Sequence, residues 1–200
     1  MYEEAPDPYA VFRRGVARAD KPLAPFVRKA LTSAVYGEKA AATRYDAFAV
    51  KADQEGYPGA AALFRACAKA ERIHLARFEA AMRSRGVEPS NETATAPSVG
   101  STRDNLRTAA SAEQTERDFT YKEACDTCTT ARDEEMATLF DTTRDVETEH
   151  ANLCNGAMHN IDELKSPKTF YVCGHCGFTT DVRLPLCPLC RVAHAPDGVD

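Results

Sequence analysis

Apolar and small residues recur at intervals of three and four along most of the chain, with charged residues between them. This spacing is typical of amphipathic helices that bury one face. The first predicted helix covers about 26–55 and ends at the turn Gly56-Tyr57-Pro58-Gly59. The second continues to about Arg85, and Gly86 stands where glycine often follows a helix end. The first half of the chain is therefore predicted to be a helical hairpin.

A second pair of helices is predicted after the polar link 87–100. The third helix opens at Ser101 with Asp104 three residues later, which has capping-box character. The fourth begins within 132–135 and ends before Ser166-Pro167. Because the link is longer than the turn between the first two helices, the second and third helices can lie parallel through a crossover.

The two ends of the chain break this helical pattern. Residues 1–25 contain several prolines and are predicted to form an irregular or partly helical leader. From Thr169 onward the chain has glycine, proline, cysteine and short β-prone runs. We expect a helical bundle over 26–166 and a second, very small domain over 167–200. A domain of that size needs an internal cross-link in order to fold, and its four cysteines are the candidates to provide it.

The composition narrows the class of protein. The chain has 200 residues, 44% of them hydrophobic, and a formal net charge of −5. It has no basic stripe to neutralise phosphates, so nucleic acid is not expected as a partner. No run approaches the roughly 18 apolar residues of a membrane span, and the start lacks the apolar region of a secretory signal. We expect a soluble, cytoplasmic protein without a membrane partner.

Each of the four predicted helices carries glutamate on its apolar face. These glutamates are Glu38, Glu71, Glu113, Glu116 and Glu147. On the second and fourth helices, His74 and His150 follow a glutamate by three residues on the same face. Either Glu-x-x-His pair alone would be explained by a solvated face or by a hydrogen-bonded core histidine. Two pairs, with glutamates on the other two helices, favour a metal site instead.

Five ionised carboxylates in a core need compensation, because removing each from water costs on the order of several kcal/mol. Two divalent metals supply it. One glutamate from each of two helices and Glu-x-x-His from the other two is the pattern of di-iron carboxylate bundles. These ligands favour two iron or manganese ions, although zinc can enter the same site. Four glutamates balance a diferrous pair, and Glu116 supplies a fifth charge that suits an oxidised pair.

The spacing of the two halves predicts a local irregularity in the third helix. Glu38 and Glu113 are 75 residues apart, whereas Tyr45 and Tyr121 are 76 apart. One additional residue therefore lies between Glu113 and Tyr121, and a π-bulge would accommodate it.

The cysteines near the end of the chain form a second candidate site. Cys173 and Cys176, followed by Cys187 and Cys190, give two CxxC pairs separated by ten residues. Four thiolates with this spacing predict one tetrahedral iron or zinc, and a structural zinc ribbon is the alternative.

With these motifs in view, the chain resembles the rubrerythrin family over about residues 30–195. The resemblance rests on the blocks YGEKAAATRYDAFAVKADQEG, AERIHLARF, AEQTERDFTY, VETEHANL, YVCGHCGF and CPLC. It implies an all-α, ferritin-like four-helix bundle with a C-terminal rubredoxin-like domain. It implies as di-iron ligands Glu38, Glu71, Glu113, Glu116, Glu147 and His150, with His74 exchanging with Glu116 on one iron. Tyr45 and Tyr121 would donate hydrogen bonds to these ligands, and the four cysteines would hold one electron-relaying iron.

The family resemblance implies a peroxidase that reduces hydrogen peroxide to water. Its electrons would come from a redox protein, of the rubredoxin or NAD(P)H-dependent reductase class. The alternatives are a ferroxidase or iron-storage protein and a zinc-ribbon interaction module on a structural bundle. The fourth helix is expected to carry the chain ~21 Å beyond His150 before the small domain begins. Unless the linker folds straight back, this distance predicts a head-to-tail homodimer that sets each four-cysteine site against the partner's bundle.

Several residues near these sites have simpler explanations. Cys67 and Cys154 lie one helical turn from Glu71 and His150, and packing of small buried side chains explains them. Cys125 and Cys128 are interpreted as a partly exposed pair without a metal. His159, His175 and His194 are expected at the surface. Arg191 follows the last cysteine and should raise the potential of that site, because its positive charge favours the reduced state.

Overall fold

The computed structural model describes residues 22–193 and 198–200. Its helices are α1 (Pro25–Gln54), α2 (Pro58–Ser84), α3 (Thr102–Thr115), α4 (Tyr121–Thr130) and α5 (Glu134–His159). A π-helical turn, Glu116–Thr120, joins α3 to α4, and a 3₁₀ helix, Ile161–Lys165, follows α5. Residues 1–21 of the leader predicted over 1–25, and His194, fall outside the described residues, while Pro25 already belongs to α1.

Local sequence explains where the helices begin and end. A proline stands in the first turn of both α1 and α2, where its missing N–H costs nothing. Ser101 caps α3 by accepting a hydrogen bond from the Asp104 amide. At the end of α4, Arg132 adopts a left-handed conformation with φ 53°, and the Asp133 amide bonds back to the Cys128 carbonyl. Helix α4 can therefore end at this point although neither glycine nor proline follows it.

The π-bulge inferred from the spacing of the two halves is confirmed. It occupies Glu116–Thr120, between Glu113 and Tyr121. The extra residue rotates α4 relative to α3, so Glu113 and Tyr121 both remain buried although they belong to different helical segments.

The helices pack as two pairs, α1 with α2 and α3/α4 with α5. The C-terminal end of α2 meets the N-terminal end of α5, where buried Arg85 pairs with Asp133 at 3.0 Å and with Glu135 at 2.6 Å. Helices α2 and α5 are therefore antiparallel neighbours. No helix of the described residues is long and apolar enough to cross a membrane.

Two aromatic clusters fill the bundle on either side of its middle. Tyr45, Phe48 and Phe64 pack together at one end, with ring centroids 5.4 to 6.3 Å apart. Phe78, Tyr121 and Phe140 form the second cluster, with centroids 5.0 to 6.0 Å apart. Each cluster presents one tyrosine hydroxyl toward the space between them, which places two polar groups in an otherwise apolar core.

The small domain is built on a three-stranded antiparallel sheet. Its strands are β1 (Phe170–Val172), β2 (Thr179–Thr180) and β3 (Gly198–Val199), in the order β2-β1-β3. The two CxxC segments form similar turns, in which the amides of Gly177 and Arg191 bond to the carbonyls of Cys173 and Cys187. The architecture is thus a ferritin-like bundle carrying a rubredoxin-like four-cysteine domain.

The linker between bundle and small domain differs from the sequence expectation. The sequence predicts a helix that continues almost to Ser166-Pro167, but α5 ends at His159 and the 3₁₀ helix follows it. Ser166 still lies at the start of α2, where a Cβ on Gly59 would be 2.7 Å from its carbonyl oxygen, and the chain then returns along the bundle until the Cys176 carbonyl lies 3.0 Å from His74 Nε2. The small domain therefore packs on the bundle of its own chain, and the distance argument for a head-to-tail dimer does not hold.

Candidate metal centres

Six of the seven residues expected at the bundle centre meet in its middle. They are Glu38, Glu71, His74, Glu113, Glu147 and His150. All are buried, with at most 1% of their surface exposed. They come from four helices, because α1 and α3 each supply one glutamate while α2 and α5 each supply a glutamate and a histidine.

The distances divide these residues into two groups that share two glutamates. His74 Nδ1 lies 3.1 Å from oxygens of both Glu71 and Glu147, and 3.7 Å from Glu38 Oε2. His150 Nδ1 lies 2.9 Å from Glu147 Oε2, 3.5 Å from Glu71 Oε1 and 3.9 Å from Glu113 Oε2. Glu71 and Glu147 belong to both groups, so each could offer an oxygen to either of two metal ions.

The hydrogen bonding of the four glutamates fits a pair of metal ions. One buried oxygen of each carboxylate, Oε2 of Glu38 and Glu113 and Oε1 of Glu71 and Glu147, has no hydrogen-bond partner. Leaving a charged oxygen without a partner in a core is costly. A divalent cation between the carboxylates would satisfy these oxygens and offset their charge.

The two tyrosines of the aromatic clusters each hold one glutamate. The Tyr45 hydroxyl donates to Glu113, and the Tyr121 hydroxyl donates to Glu38. Burial, followed by the adjacent carboxylate, raises the pKa of each phenol well above its usual value. The phenols therefore remain protonated and act as donors.

Each histidine has its outward nitrogen anchored by the small domain. His74 Nε2 lies 3.0 Å from the Cys176 carbonyl oxygen, which accepts its N–H. His150 Nε2 lies 3.1 Å from Thr179 Oγ1, and that hydroxyl donates in turn to the Gly177 carbonyl. These bonds place a proton on Nε2 of each ring and direct Nδ1 at the carboxylates, where it contacts Glu71 in His74 and Glu147 in His150.

The contact with His74 depends on a glycine. Gly177 has φ +87°, and a Cβ there would lie 2.5 Å from His74 Nε2. Neither the partners of the two histidines nor this close approach was found from the sequence. The one available signal was the glycine directly after the first CxxC pair, at the position that Arg191 occupies after the second.

Glu116 is the one expected bundle ligand that the structure does not bring into either group. It begins the π-helical turn and lines a cleft of about 570 Å³ together with Arg107, Ser111, Thr115 and Thr120. Burial of its carboxyl group, followed by Glu147 and Glu71, raises the pKa of Glu116 to about 8. Glu116 thus lies between the buried centre and the surface, while His74 occupies the centre.

The four cysteines of the small domain also converge. All are buried, and their sulfur atoms lie within 4.8 Å of one another. The Sγ atoms of Cys173 and Cys190 are 3.6 Å apart, and those of Cys176 and Cys187 are 3.5 Å apart. A tetrahedral site with metal–sulfur bonds of ~2.3 Å has sulfur–sulfur edges of about 3.8 Å, so this cluster fits one metal ion.

Comparison with known proteins identifies the family of this chain. The family model described as Rubrerythrin matches residues 29–158. The chain belongs to the rubrerythrin family. It is 31% identical over 170 residues to the rubrerythrin of Porphyromonas gingivalis, covering 81% of this chain and 84% of that protein. It is 32% identical over 163 residues to the nigerythrin of Nitratidesulfovibrio vulgaris, covering 80% of this chain and 79% of that protein.

Solved structures agree with this assignment. The structure described as the fully reduced, all-ferrous state of nigerythrin has a TM-score of 0.78 at 28% identity, covering 89% of this chain and 88% of that one. A bacterioferritin of Mycobacterium tuberculosis has a TM-score of 0.66 at 19% identity, covering 72% of this chain and 90% of that one, and shares the fold. The glutamate–histidine cluster and the four-cysteine cluster fit the iron cofactors of a rubrerythrin.

The remaining residues singled out in the sequence have mixed outcomes. His159 is exposed, as expected, but His175 is half-buried rather than at the surface. Cys125 is partly exposed, whereas Cys128 is fully buried, so the expected partly exposed pair is only half correct. Burial raises the pKa of Cys128 to about 12, so its side chain is a protonated, unreactive thiol at neutral pH.

Arg191 adopts a left-handed conformation with φ 59°, which an arginine reaches only at a cost. We expect Arg191→Gly to stabilise the chain against unfolding by about 1 kcal/mol and to lower the reduction potential of an iron bound by the four cysteines. Denaturant titration and potentiometry of the iron-loaded protein measure the two effects. An unchanged or raised potential would show that the charge of Arg191 does not favour the reduced site.

Proposed function

We propose that this chain is a peroxidase that reduces hydrogen peroxide to water, with electrons entering at the four-cysteine site and passing to the bundle centre. The observation that carries the proposal is the hydrogen bond between His74 Nε2 and the Cys176 carbonyl. It links a residue of one metal-binding cluster directly to a residue of the other within one chain. When iron is bound at both sites, it supplies the electrons that break the O–O bond.

The proposed ligands of the bundle centre are Glu38, Glu71, Glu113, Glu147, His150 and, in exchange with each other, His74 and Glu116. Cys173, Cys176, Cys187 and Cys190 are the proposed ligands of the single iron. These assignments rest on the shared geometry of the clusters, on the carboxylate oxygens that lack a partner, and on the sulfur–sulfur distances.

The protein groups around the centre provide access and protons. The cleft that reaches Glu116 is the proposed entry for a small polar substrate, since it is lined by threonine, serine and arginine. Tyr45 and Tyr121 keep protons beside Glu113 and Glu38 at neutral pH, and so hold protons close to where oxygen must leave as water.

The contact between the sites favours a peroxidase over the alternatives. An iron-storage protein has no need for a thiolate site that touches a histidine of its ferroxidase centre. A zinc-ribbon module on a structural bundle has no need for four buried glutamates. A redox-protein donor of the rubredoxin or NAD(P)H-dependent reductase class, a homodimeric assembly and a cytoplasmic location remain parts of the proposal.

Removal of one cysteine ligand tests the electron relay. We expect oxidised, iron-loaded protein to show ferric-thiolate absorption. The substitution Cys173→Ala should abolish both this absorption and donor-driven peroxide reduction. The bundle centre of that variant should still bind two irons, as elemental analysis measures. The control is Cys128→Ala, which removes a buried cysteine outside both clusters and should keep colour and turnover. A colourless, zinc-filled four-cysteine site in iron-replete cells would exclude the relay.

A further inference from the structure

Two buried cysteines lie directly beside the bundle centre and have no part in the function proposed above. Cys67 on α2 precedes Glu71 by four residues, and Cys154 on α5 follows His150 by four residues. Because α2 and α5 are antiparallel, both cysteines are displaced toward the same end of the bundle. Both are completely buried, in the core cluster that contains Tyr45.

The two thiols interact with each other and with the groups around the centre. The interaction with Cys154, followed by burial, raises the pKa of Cys67 well above its usual value. Glu113 and Glu71 raise the pKa of Cys67 further. Both thiols also contribute to the raised pKa of Tyr45, whose hydroxyl donates to Glu113. The pair therefore places two oxidisable sulfurs in the core within one helical turn of candidate ligands.

Small size alone does not explain cysteine at these positions. The residues of α2 around Cys67 are mostly alanines, among them Ala66, Ala68 and Ala70, and all three are completely buried. Alanine would fill such a position without introducing a reactive sulfur. A pair of thiols on two facing helices adds a chemistry that alanine lacks, because two thiols can be oxidised to one disulfide.

We propose that Cys67 and Cys154 are a two-electron reserve for the bundle centre, and this inference rests on the proposed function. When no external donor is present, the two S–H bonds break and one S–S bond forms. The two electrons return an oxidised iron pair to its ferrous state, and the two protons leave with the peroxide oxygens as water. The net reaction is one hydrogen peroxide and two thiols giving one disulfide and two waters.

The test counts electrons and sulfurs in the same sample. Full-length, iron-loaded protein is reduced anaerobically, freed of reductant and titrated with hydrogen peroxide. Three irons alone consume about 1.5 equivalents of peroxide per chain, and an oxidised thiol pair raises this to about 2.5. Acid quenching, alkylation and peptide mass spectrometry should then find Cys67 joined to Cys154, with the loss of two hydrogens.

Matched variants separate this role from packing. Cys67→Ala and Cys154→Ala should each consume about 1.5 equivalents while retaining helicity and four-cysteine colour. Cys125→Ala with Cys128→Ala, which removes the other cysteine pair of the bundle, should consume as much as the unaltered chain. Zinc-loaded protein should form no disulfide under the same conditions.

The outcomes distinguish the reserve from the proposed function. Consumption of about 1.5 equivalents by the unaltered chain, with both thiols still alkylated, would overturn the reserve and leave the peroxidase intact. A disulfide that forms equally fast in zinc-loaded protein would also overturn it, because the oxidation would then not pass through the iron pair. Failure of the iron-loaded chain to consume any peroxide would instead reject the peroxidase.

Discussion

Replacing Gly177 with alanine is expected to slow electron delivery from the four-cysteine site to the bundle centre by about tenfold or more. The new Cβ would lie 2.5 Å from His74 Nε2, so the small domain must move away or the imidazole must turn. Either movement lengthens the bond from His74 to the Cys176 carbonyl, which is the direct contact between the two sites. Stopped-flow oxidation of the pre-reduced four-cysteine iron by peroxide measures this rate.

Two other glycines provide controls for that substitution. Gly174 lies in the same cysteine turn, and a Cβ there meets nothing within 4 Å. Gly174→Ala should therefore leave the rate unchanged. Gly86 has φ +70° and also faces open space, so Gly86→Ala measures the cost of a left-handed alanine without any overlap. Equal rates for Gly177→Ala and Gly174→Ala would show that electrons do not pass through the His74 contact.

The two cysteine turns support this interpretation. Gly177 and Arg191 occupy the same place in their turns, and both adopt positive φ. Because arginine is tolerated at the second turn, the conformation alone does not require glycine at the first. The difference is that the first turn faces His74, whereas Arg191 is exposed. Glycine is needed at position 177 because the two parts of the chain approach each other there.

Residue spacing and periodicity predicted most of the bundle but not the placement of the small domain. Helical periodicity located the inward glutamates, and a difference of one residue between two spacings located the π-helical turn at Glu116–Thr120. The reversal after His159 carries no comparable signal, because the 3₁₀ segment Ile161–Lys165 has the polar composition of a continuing helix. The acceptor for His74 is a backbone carbonyl, which every residue offers and no sequence pattern marks.

The position of Glu116 shows a different limit of sequence reasoning. Helical geometry put Glu116 and Glu113 on one face, three residues apart. The π-helical turn begins at Glu116 itself and sets its carboxylate beside the surface cleft instead of among the six converging residues. His74 lies among those six residues and Glu116 does not.

Loss of Glu116 is expected to affect the oxidised iron pair far more than the reduced one. Four central glutamates balance two ferrous ions, so Glu116→Ala should still bind both. Oxidation adds two positive charges, and an anionic oxygen ligand then becomes more favourable than neutral imidazole. Without Glu116 the oxidised pair lacks that ligand, and peroxide turnover should fall by about 10–100-fold, while the colour of the four-cysteine site is retained.

The complementary variant and a matched control complete this prediction. His74→Ala should impair the reduced, peroxide-reactive form, because it removes the ligand present when Glu116 stays outside. Glu123→Ala removes an exposed carboxylate seven residues beyond Glu116 and should change neither state. Iron content in both oxidation states, together with crystal structures of the reduced and oxidised iron-loaded protein, measures the exchange. Identical coordination by Glu116 and His74 in the two crystals, or loss of iron from Glu116→Ala in both states, would rule out a redox-linked exchange of ligands.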